Sequence, residues 1–220
     1  MTLSLARDGA ALFAGASRGA LTELEAALNA VPRDRPGTRL HDVTLLRPLL
    51  ATEGPIGSVA AHALGASVRP VRAILFDKTP TTNWALGWHQ DRTICVRERV
   101  AAPGFGPWSV KAGRIHVTPP FALLERMVTL RVHLDAVPVD NAPLLIAPGS
   151  HKALVADAEI EAAVARWGSF TCLAEAGDVW IYSTPILHAS AASRCPGRRR
   201  VLQIDYSADG LPYGLEWAAI

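Results

Sequence analysis

The 220-residue sequence predicts a mostly β fold, a sandwich or barrel of short strands, with helices at its N-terminal end. Three observations carry this. From residue 70 onward, seven or eight short β-rich segments follow one another, separated by Pro-Gly, Gly-Asp and Asp-Asn turn signals. No strand–helix alternation of the kind that builds a doubly wound sheet is present. Finally, 17 glycines and 16 prolines exceed the average share and demand many turns.

Taken in order, residues 8–66 read as helical. Ala10, Leu12 and Phe13, then Leu21, Leu24, Ala27 and Leu28, recur at helical spacing. Thr22 precedes Glu23 and Glu25, an acidic first turn that suits a helix start, and Pro32 closes the stretch. The loop RDRPGTRLHD (33–42) leads to a second helix around Ile56 to Leu64, ended by Gly65. His41 and His62 are lone histidines with surface or structural roles. Strands then follow in RPVRAILFDK, GWHQDRTICVRE, GRIHVTP, MVTLRVHLDAV, PLLIAPGS, FTCLAEA, GDVWIYSTP and RRRVLQIDYSA. One helix interrupts them, from Asp157 as N-cap to Trp167, with Ile160, Val164 and Trp167 on one face and Gly168 beyond. The expected organisation is a single domain, residues 1–69 packing as a helical region on a core of residues 70–220. The segment PGFGPW (103–108) reads as a Gly/Pro-hinged loop in the position of a lid.

Composition excludes several function classes. With 22 basic and 20 acidic side chains the formal net charge is +2, too balanced for the clustered basic footprint of nucleic-acid binding. The N-terminal stretch is broken by Arg7, Asp8 and Arg18 before an apolar run of signal-peptide or membrane length develops. Cys95, Cys172 and Cys195 are odd in number and form no CxxC pair, so neither a disulfide framework nor a thiolate zinc site is expected. Reduced thiols point to a cytoplasmic protein acting on a small soluble molecule. No GxGxxG or P-loop motif appears.

The chemistry is concentrated in WHQD and a late histidine. Strand side chains alternate, so His89 and Asp91 share one face and offer an imidazole and a carboxylate to one ion. His188, in PILHAS after the strand GDVWIYS, is the candidate third ligand, from a strand expected to face the first across the barrel mouth. Two histidines and one carboxylate leave open positions on an octahedral ion, the facial triad of non-haem Fe(II) oxygenases. Zinc suits the set less well, since its catalytic sites usually keep a single open position. Arg199 follows His188 by eleven residues and starts the last strand, where its guanidinium would take a carboxylate in two-pronged fashion. That is the anchor a chelating 2-oxo acid needs. The plainer alternative makes Arg198, Arg199 and Arg200 a solvated basic turn.

WHQD, NAPLLIAPGSHK (141–152), AGDVWIYSTPILHAS (176–190) and RRRVLQIDY, in that order, resemble the phytanoyl-CoA dioxygenase family over residues 70–207. The resemblance implies a double-stranded β-helix (jelly-roll, cupin-like) core and dependence on Fe(II), 2-oxoglutarate and O2. It implies His89, Asp91 and His188 as iron ligands. Arg199 would meet the distal carboxylate of 2-oxoglutarate, with the Ser190 hydroxyl helping. Arg131 stands where relatives place an aromatic cosubstrate contact, and Lys78 matches a lysine common before WHQD. Asn141-Ala142-Pro143 replaces the family's Asn-Gly turn. Trp88, Trp108 and His133 are candidates for the substrate wall, His133 because it shares a strand face with Arg131.

Two other function classes stay open on the sequence. One is a cupin-like metal enzyme that uses the triad without 2-oxoglutarate. The other is a jelly-roll binding module without catalysis. Carboxylate recognition by Arg199 separates the leading class from both.

Overall fold

The computed structural model describes residues 2–32, 37–194, 198–218 and 220. Cys195 and the first four residues of the 33–42 loop lie outside them. In chain order come α1 (Leu5–Asp8), β1 (Ala10–Phe13), α2 (Leu21–Leu28), β2 (Gly37–Leu40), α3 (Arg47–Leu50), α4 (Gly57–Leu64) and β3 (Arg69–Lys78). There follow β4 (Leu86–His89), β5 (Ile94–Val96), β6 (Trp108–Lys111), β7 (Arg114–Val117), α5 (Phe121–Leu124), β8 (Val128–His133) and β9 (Leu144–Ile146). The chain ends with α6 (Ile160–Trp167), β10 (Phe170–Cys172), β11 (Val179–Ser183), β12 (His188–Ser190) and β13 (Arg199–Ser207). Among the described residues no helix is long and apolar enough to cross a membrane.

The strands pair antiparallel. A six-stranded sheet has the order β1-β11-β8-β13-β3-β2, a four-stranded sheet β10-β9-β12-β4, and a three-stranded sheet β5-β7-β6. The first two face each other as a jelly roll. Strand alternation decides what each face carries. On the outer face of the large sheet, Ala73, Leu75, Leu130, Val132, Ile181, Leu202 and Ile204 form one buried cluster with Leu24 and Leu28 of α2, Leu50 of α3 and Val59 of α4. Each Leu, Ile or Val among them stabilises the fold by roughly 1.5–3 kcal/mol through apolar burial. The Tyr206 hydroxyl donates to the Leu50 carbonyl (3.0 Å), tying β13 to α3. Between the sheets the interior has two ends. One is apolar, with Ala10, Trp180 and Tyr182 against Leu144, Ile146 and Cys172. The other is polar and holds the cavity.

The N-terminal stretch departs from the helical expectation twice. Ala10–Phe13 and Gly37–Leu40 are strands, and they form the two edges of the large sheet. Ala10 faces the inter-sheet side while Ala11 and Phe13 pack with the helices, a period of two. Four residues are too few for periodicity to separate helix from strand, and pairing with β11 and β3 supplies the hydrogen bonds. The large sheet therefore runs across the expected division at residue 69. The 103–108 loop also differs from the hinged lid expected of it. Phe105 and Trp108 pack against the cluster of Val71, Ile94, Val117 and Leu123, and Gly106 N donates to Thr118 O (2.8 Å). Asp157 does not cap a helix; it precedes α6 in a short turn and pairs with Arg92 Nη1 at 2.9 Å. Gly168, at φ +76°, ends α6 as expected.

Leu202 is fully buried against the helical layer and faces away from the interior. Replacing it with Ala should cost about 2–5 kcal/mol, seen as a lower urea midpoint with an unchanged slope. Divalent-metal affinity of the folded variant should match wild type, and a shift in that affinity would show that the two faces of the sheet are coupled.

Candidate active site

His89 ends β4 and His188 starts β12, and the two are direct partners in the ladder between those strands. They are neighbours on adjacent strands, not residues facing each other across the barrel mouth as the sequence suggested. Side chains opposite each other on one face of an antiparallel pair meet closely, and the imidazole centroids are 4.2 Å apart. Each ring is oriented by its own backbone. His89 Nδ1 donates to Gly87 O (2.8 Å) and His188 Nδ1 to Ile186 O (3.0 Å). A carbonyl only accepts, so the proton sits on Nδ1 and Nε2 is left bare for a metal. Asp91 lies two residues past His89, and ligand atoms of His89, Asp91 and His188 all fall within 4.8 Å of one another. The intervening Gln90 is buried and ties loops together. Its Nε2 donates to Ala153 O (2.9 Å) and Pro185 O (2.6 Å), and its Oε1 accepts from Val155 N.

Asp91 is held from behind. Arg72 Nη2 lies 3.2 Å from Asp91 Oδ2, and Gln203 Nε2 donates to the same oxygen at 3.3 Å. Arg72 Nε donates to Asp205 Oδ2 at 2.5 Å, and Thr129 Oγ1 donates to Asp205 Oδ1 at 3.1 Å. Burial opposes ionisation of Asp91, but Arg72, then His188 and His89, outweigh it and hold the carboxyl at about 2. Burial, reinforced by His89, pulls His188 down to about 4. At neutral pH the donor set is thus an ionised carboxylate and a neutral His188 imidazole beside His89, the state metal binding requires. Two imidazole nitrogens and one carboxylate oxygen on one side of an ion fit Fe(II) with open positions.

A cavity of about 240 Å³ opens beside these three residues. Arg199, Arg131, Lys78 and Ser190 all line it. Arg199 is 1% exposed, its Nη1 donates to Ala142 O (2.8 Å), and its Nε has no acceptor. No carboxylate pairs with it among the described residues, and burial followed by the nearby Arg131 charge pulls it down to about 9. Its neighbours face outward. Arg198 holds Asp77 (2.7 Å), and Arg200 holds Asp135 (2.6 Å) and Glu25 (2.9 Å). Arg131 makes one long bond to Gln203 Oε1 (3.3 Å) and lies 5.3 Å over the Phe76 ring. Lys78 Nζ is already engaged, donating to Trp84 O and Ala191 O (both 2.7 Å) and to Ser190 Oγ (3.3 Å). Burial, then Arg199 and Arg131, pull Lys78 down to about 7. Ser190 Oγ in turn donates to Ala142 O (3.1 Å).

The three candidates for the substrate wall lie outside the cavity lining. Trp88 alternates away from His89 and packs with Ala147, Leu187 and Trp167. Trp108 belongs to the cluster under the three-stranded sheet. His133 shares the face of Arg131 but is sealed, 1% exposed with neither ring nitrogen partnered. In their place Gly37, Arg39, Phe76, Trp84, Leu86 and Lys111 line the cavity. Arg72, Asp205 and Gln203, which orient Asp91, were also missed. Strand period held the signal: Arg72, Ile74, Phe76 and Lys78 share one face of β3, and Arg199, Gln203 and Asp205 share one face of β13.

A jelly roll with an imidazole–carboxylate–imidazole set beside a buried, acid-free arginine defines a non-haem iron oxygenase of the 2-oxoglutarate-dependent class. The family model described as phytanoyl-CoA dioxygenase (PhyH) matches residues 11–201, and the chain belongs to that family. Similar solved structures include the non-heme alpha ketoglutarate dependent epimerase SnoN from nogalamycin biosynthesis, 20% identical, covering 98% of this chain and 90% of that one at a TM-score of 0.66. EctD from S. alaskensis in its apoform is 18% identical, with coverage of 98% and 81% and a TM-score of 0.66. HygX from Streptomyces hygroscopicus, solved with nickel and 2-oxoglutarate bound, is 15% identical, with coverage of 92% and 84% and a TM-score of 0.61. These likenesses speak to the fold. Among curated proteins none matches the chain.

Burial, with Arg131 and Arg199 nearby, pulls His133 down to about 3. A histidine freed by unfolding titrates near 6.5, so between about pH 6.5 and 3 the unfolded chain binds the extra proton. Stability is therefore full above that window and is lost as pH falls through it, by at most about 1.4 kcal/mol per pH unit for this one group. His133→Leu leaves no buried nitrogen unpaired and should flatten the acid limb of a stability-versus-pH curve. An acid limb as steep as that of wild type would place the titrating group elsewhere.

Proposed function

We propose that His89, Asp91 and His188 hold one Fe(II) and that Arg199 anchors the distal carboxylate of 2-oxoglutarate, making the chain an oxygenase of a small molecule. The observation that carries this reading is Arg199. A guanidinium buried without an acidic partner is costly unless a ligand supplies the anion. The cosubstrate has a carboxylate to offer there while its other end faces the triad. A cupin-like enzyme without 2-oxoglutarate, or a binding module without catalysis, must find another anion for that charge.

Each residue has a task in this scheme. The Nδ1 bonds aim both imidazoles, and Arg72 with Gln203 takes up Asp91 Oδ2 so that the other oxygen is free for the ion. Lys78 fastens the end of β3 to the segments at Trp84 and Ala191 and closes the cavity floor beside Arg199. Arg131 adds positive charge over Phe76 at the inner wall. With iron and 2-oxoglutarate bound, the site supplies oxidation of substrate by O2, one oxygen atom entering succinate as CO2 leaves and the other hydroxylating the substrate. A cytoplasmic location belongs to the same reading, supported by the buried, unpaired thiols of Cys95 and Cys172.

Two measurements test it. His188→Ala should abolish stoichiometric retention of Fe(II) or Ni(II), and wild-type affinity in that variant would sink the triad. Truncating one partner of a buried, hydrogen-bonded charge pair costs about 2–5 kcal/mol, or roughly 30- to 5,000-fold. Arg199→Ala should therefore raise the half-saturating 2-oxoglutarate concentration at least about 30-fold in a succinate-release assay, with metal binding nearly intact. Arg199→Lys should fall in between, because an ammonium lacks the planar fork. Arg198→Ala and Arg200→Ala, whose side chains point outward, should stay within a few fold of wild type. An effect carried by either neighbour would overturn the assignment.

A further inference from the structure

Not every cation in the cavity is used by the reading above. Arg72 is matched by Asp91 and Asp205, Lys78 by carbonyl and hydroxyl oxygens, and Arg199 by the cosubstrate. Among the described residues Arg131 also lacks an acid, but it is set at the inner wall against Gln203 and the Phe76 ring; Arg39, on the edge strand β2, and Lys111, at the end of β6, are the other two without one. Both line the same cavity as His89, Asp91 and His188. Neither has an ion pair among the described residues. Arg39 Nε is buried with no acceptor, and Lys111 Nζ reaches only the Thr93 hydroxyl (3.1 Å).

Within the fold these two charges meet more opposition than support. Burial, then the adjacent charge of Arg72, holds Arg39 below its ordinary value, and burial, Arg72 and Arg39 do the same to Lys111. Asp91 is the carboxylate whose charge favours both, and it is paired with Arg72 and assigned to the metal in the reading above. The strain of like charges gathered in a half-closed space is relieved when an anion enters.

The distal carboxylate of the cosubstrate is too far away to be that anion, and its other carboxylate is committed to the metal. Arg39 pairs in register with Ile74, whereas Arg199 pairs with Lys78. Four residues of β3 separate the two positions, about 13 Å along the strand. Arg39 stands one rung from Arg72, which holds Asp91, and the apolar part of the wall, Phe76, Trp84 and Leu86, continues from there toward Lys78 and Ser190. The Phe76 and Trp84 rings are 6.3 Å apart, and the space in front of Phe76 is kept open by Gly37, where a Cβ would come within 3.1 Å of that ring.

We propose that the primary substrate is a small organic acid. Arg39 and Lys111 hold its carboxylate or phosphate group at the Asp91 side of the cavity, and its carbon body lies beside the triad against the wall of Phe76, Trp84 and Leu86. The inference rests on the oxygenase reading and adds the substrate class to it.

The test is calorimetric binding to the protein loaded with Ni(II) and 2-oxoglutarate, which turns nothing over. Benzoate and phenyl phosphate are the acidic probes, and benzyl alcohol is the neutral control of similar shape. At least one acid should bind tenfold or more tightly than the alcohol, a gap of about 1.4 kcal/mol. The better acid of the two names the preferred anion. Arg39→Gln and Lys111→Gln should each weaken acid binding about tenfold, as expected for half-exposed partners of a charge pair, while 2-oxoglutarate affinity stays within twofold. Thermal unfolding of the metal-free variants should match wild type, because neither side chain carries a structural ion pair. Three results would overturn the inference: the alcohol binding as well as the acids, no acid binding at millimolar concentration, or 2-oxoglutarate affinity falling in the Arg39→Gln variant. Failure of the underlying reading looks different. Wild type would then take up no 2-oxoglutarate, yet the acids would bind and respond to both substitutions, so the anion site would stand and the oxygenase assignment would fall.

Discussion

The Arg72 guanidinium lies between a buried carboxylate, Asp205 at 2.5 Å, and a half-buried one, Asp91 at 3.2 Å. Much of the site depends on that arrangement. Without Arg72 two acids would be forced together in a space of low polarity, and Asp91 would be pushed toward protonation. With it, Asp91 stays ionised and its second oxygen is pinned. The link is rigid because Arg72 and Asp205 are register partners on β3 and β13, the most extensively paired strands of the large sheet. The charge of Asp91 is therefore set by the backbone ladder of the sheet that faces the imidazoles.

The large sheet sorts chemistry by rung. Lys78 and Arg199 share one rung; Arg39, Ile74, Gln203 and Arg131 share another; Arg72, Asp205, Thr129 and Tyr182 share a third. All are register positions on one inner face. Along the rungs, groups pass from the edge strand inward, and from one rung to the next the tasks change from cosubstrate to cavity wall to metal support. The apolar cluster on the opposite face holds the ladder straight, so the polar groups need no packing of their own to keep their spacing.

Much of this was legible in the residues. His89, Asp91 and His188 declare themselves through alternation and a late strand-end histidine, and RPVRAILFDK coincides with β3 to the residue. The adjacency of β4 and β12 was not legible, because pairing between strands a hundred residues apart leaves no local trace. Ala10–Phe13 and Gly37–Leu40 were hidden by brevity: isolated four-residue strands have no preference of their own until a sheet edge receives them. Trp88 and Trp108 misled because an aromatic near a ligand in sequence points to the opposite face when their separation is odd, or belongs to another sheet altogether. Arg39 was invisible for the same reason as its strand.

Among the described residues β4 is an edge strand paired only with β12, and its last residue is one of the three groups proposed to face the metal. An ion held there is a rivet through a weak seam. It joins an edge that hydrogen bonds alone secure over a few residues to a strand locked between β9 and β4. Ordering of that edge and occupancy of the ion then become one equilibrium, and stability gains a term that grows with the logarithm of free metal. A cell short of iron would hold this chain in a form whose seam opens first at the mouth of its own cavity.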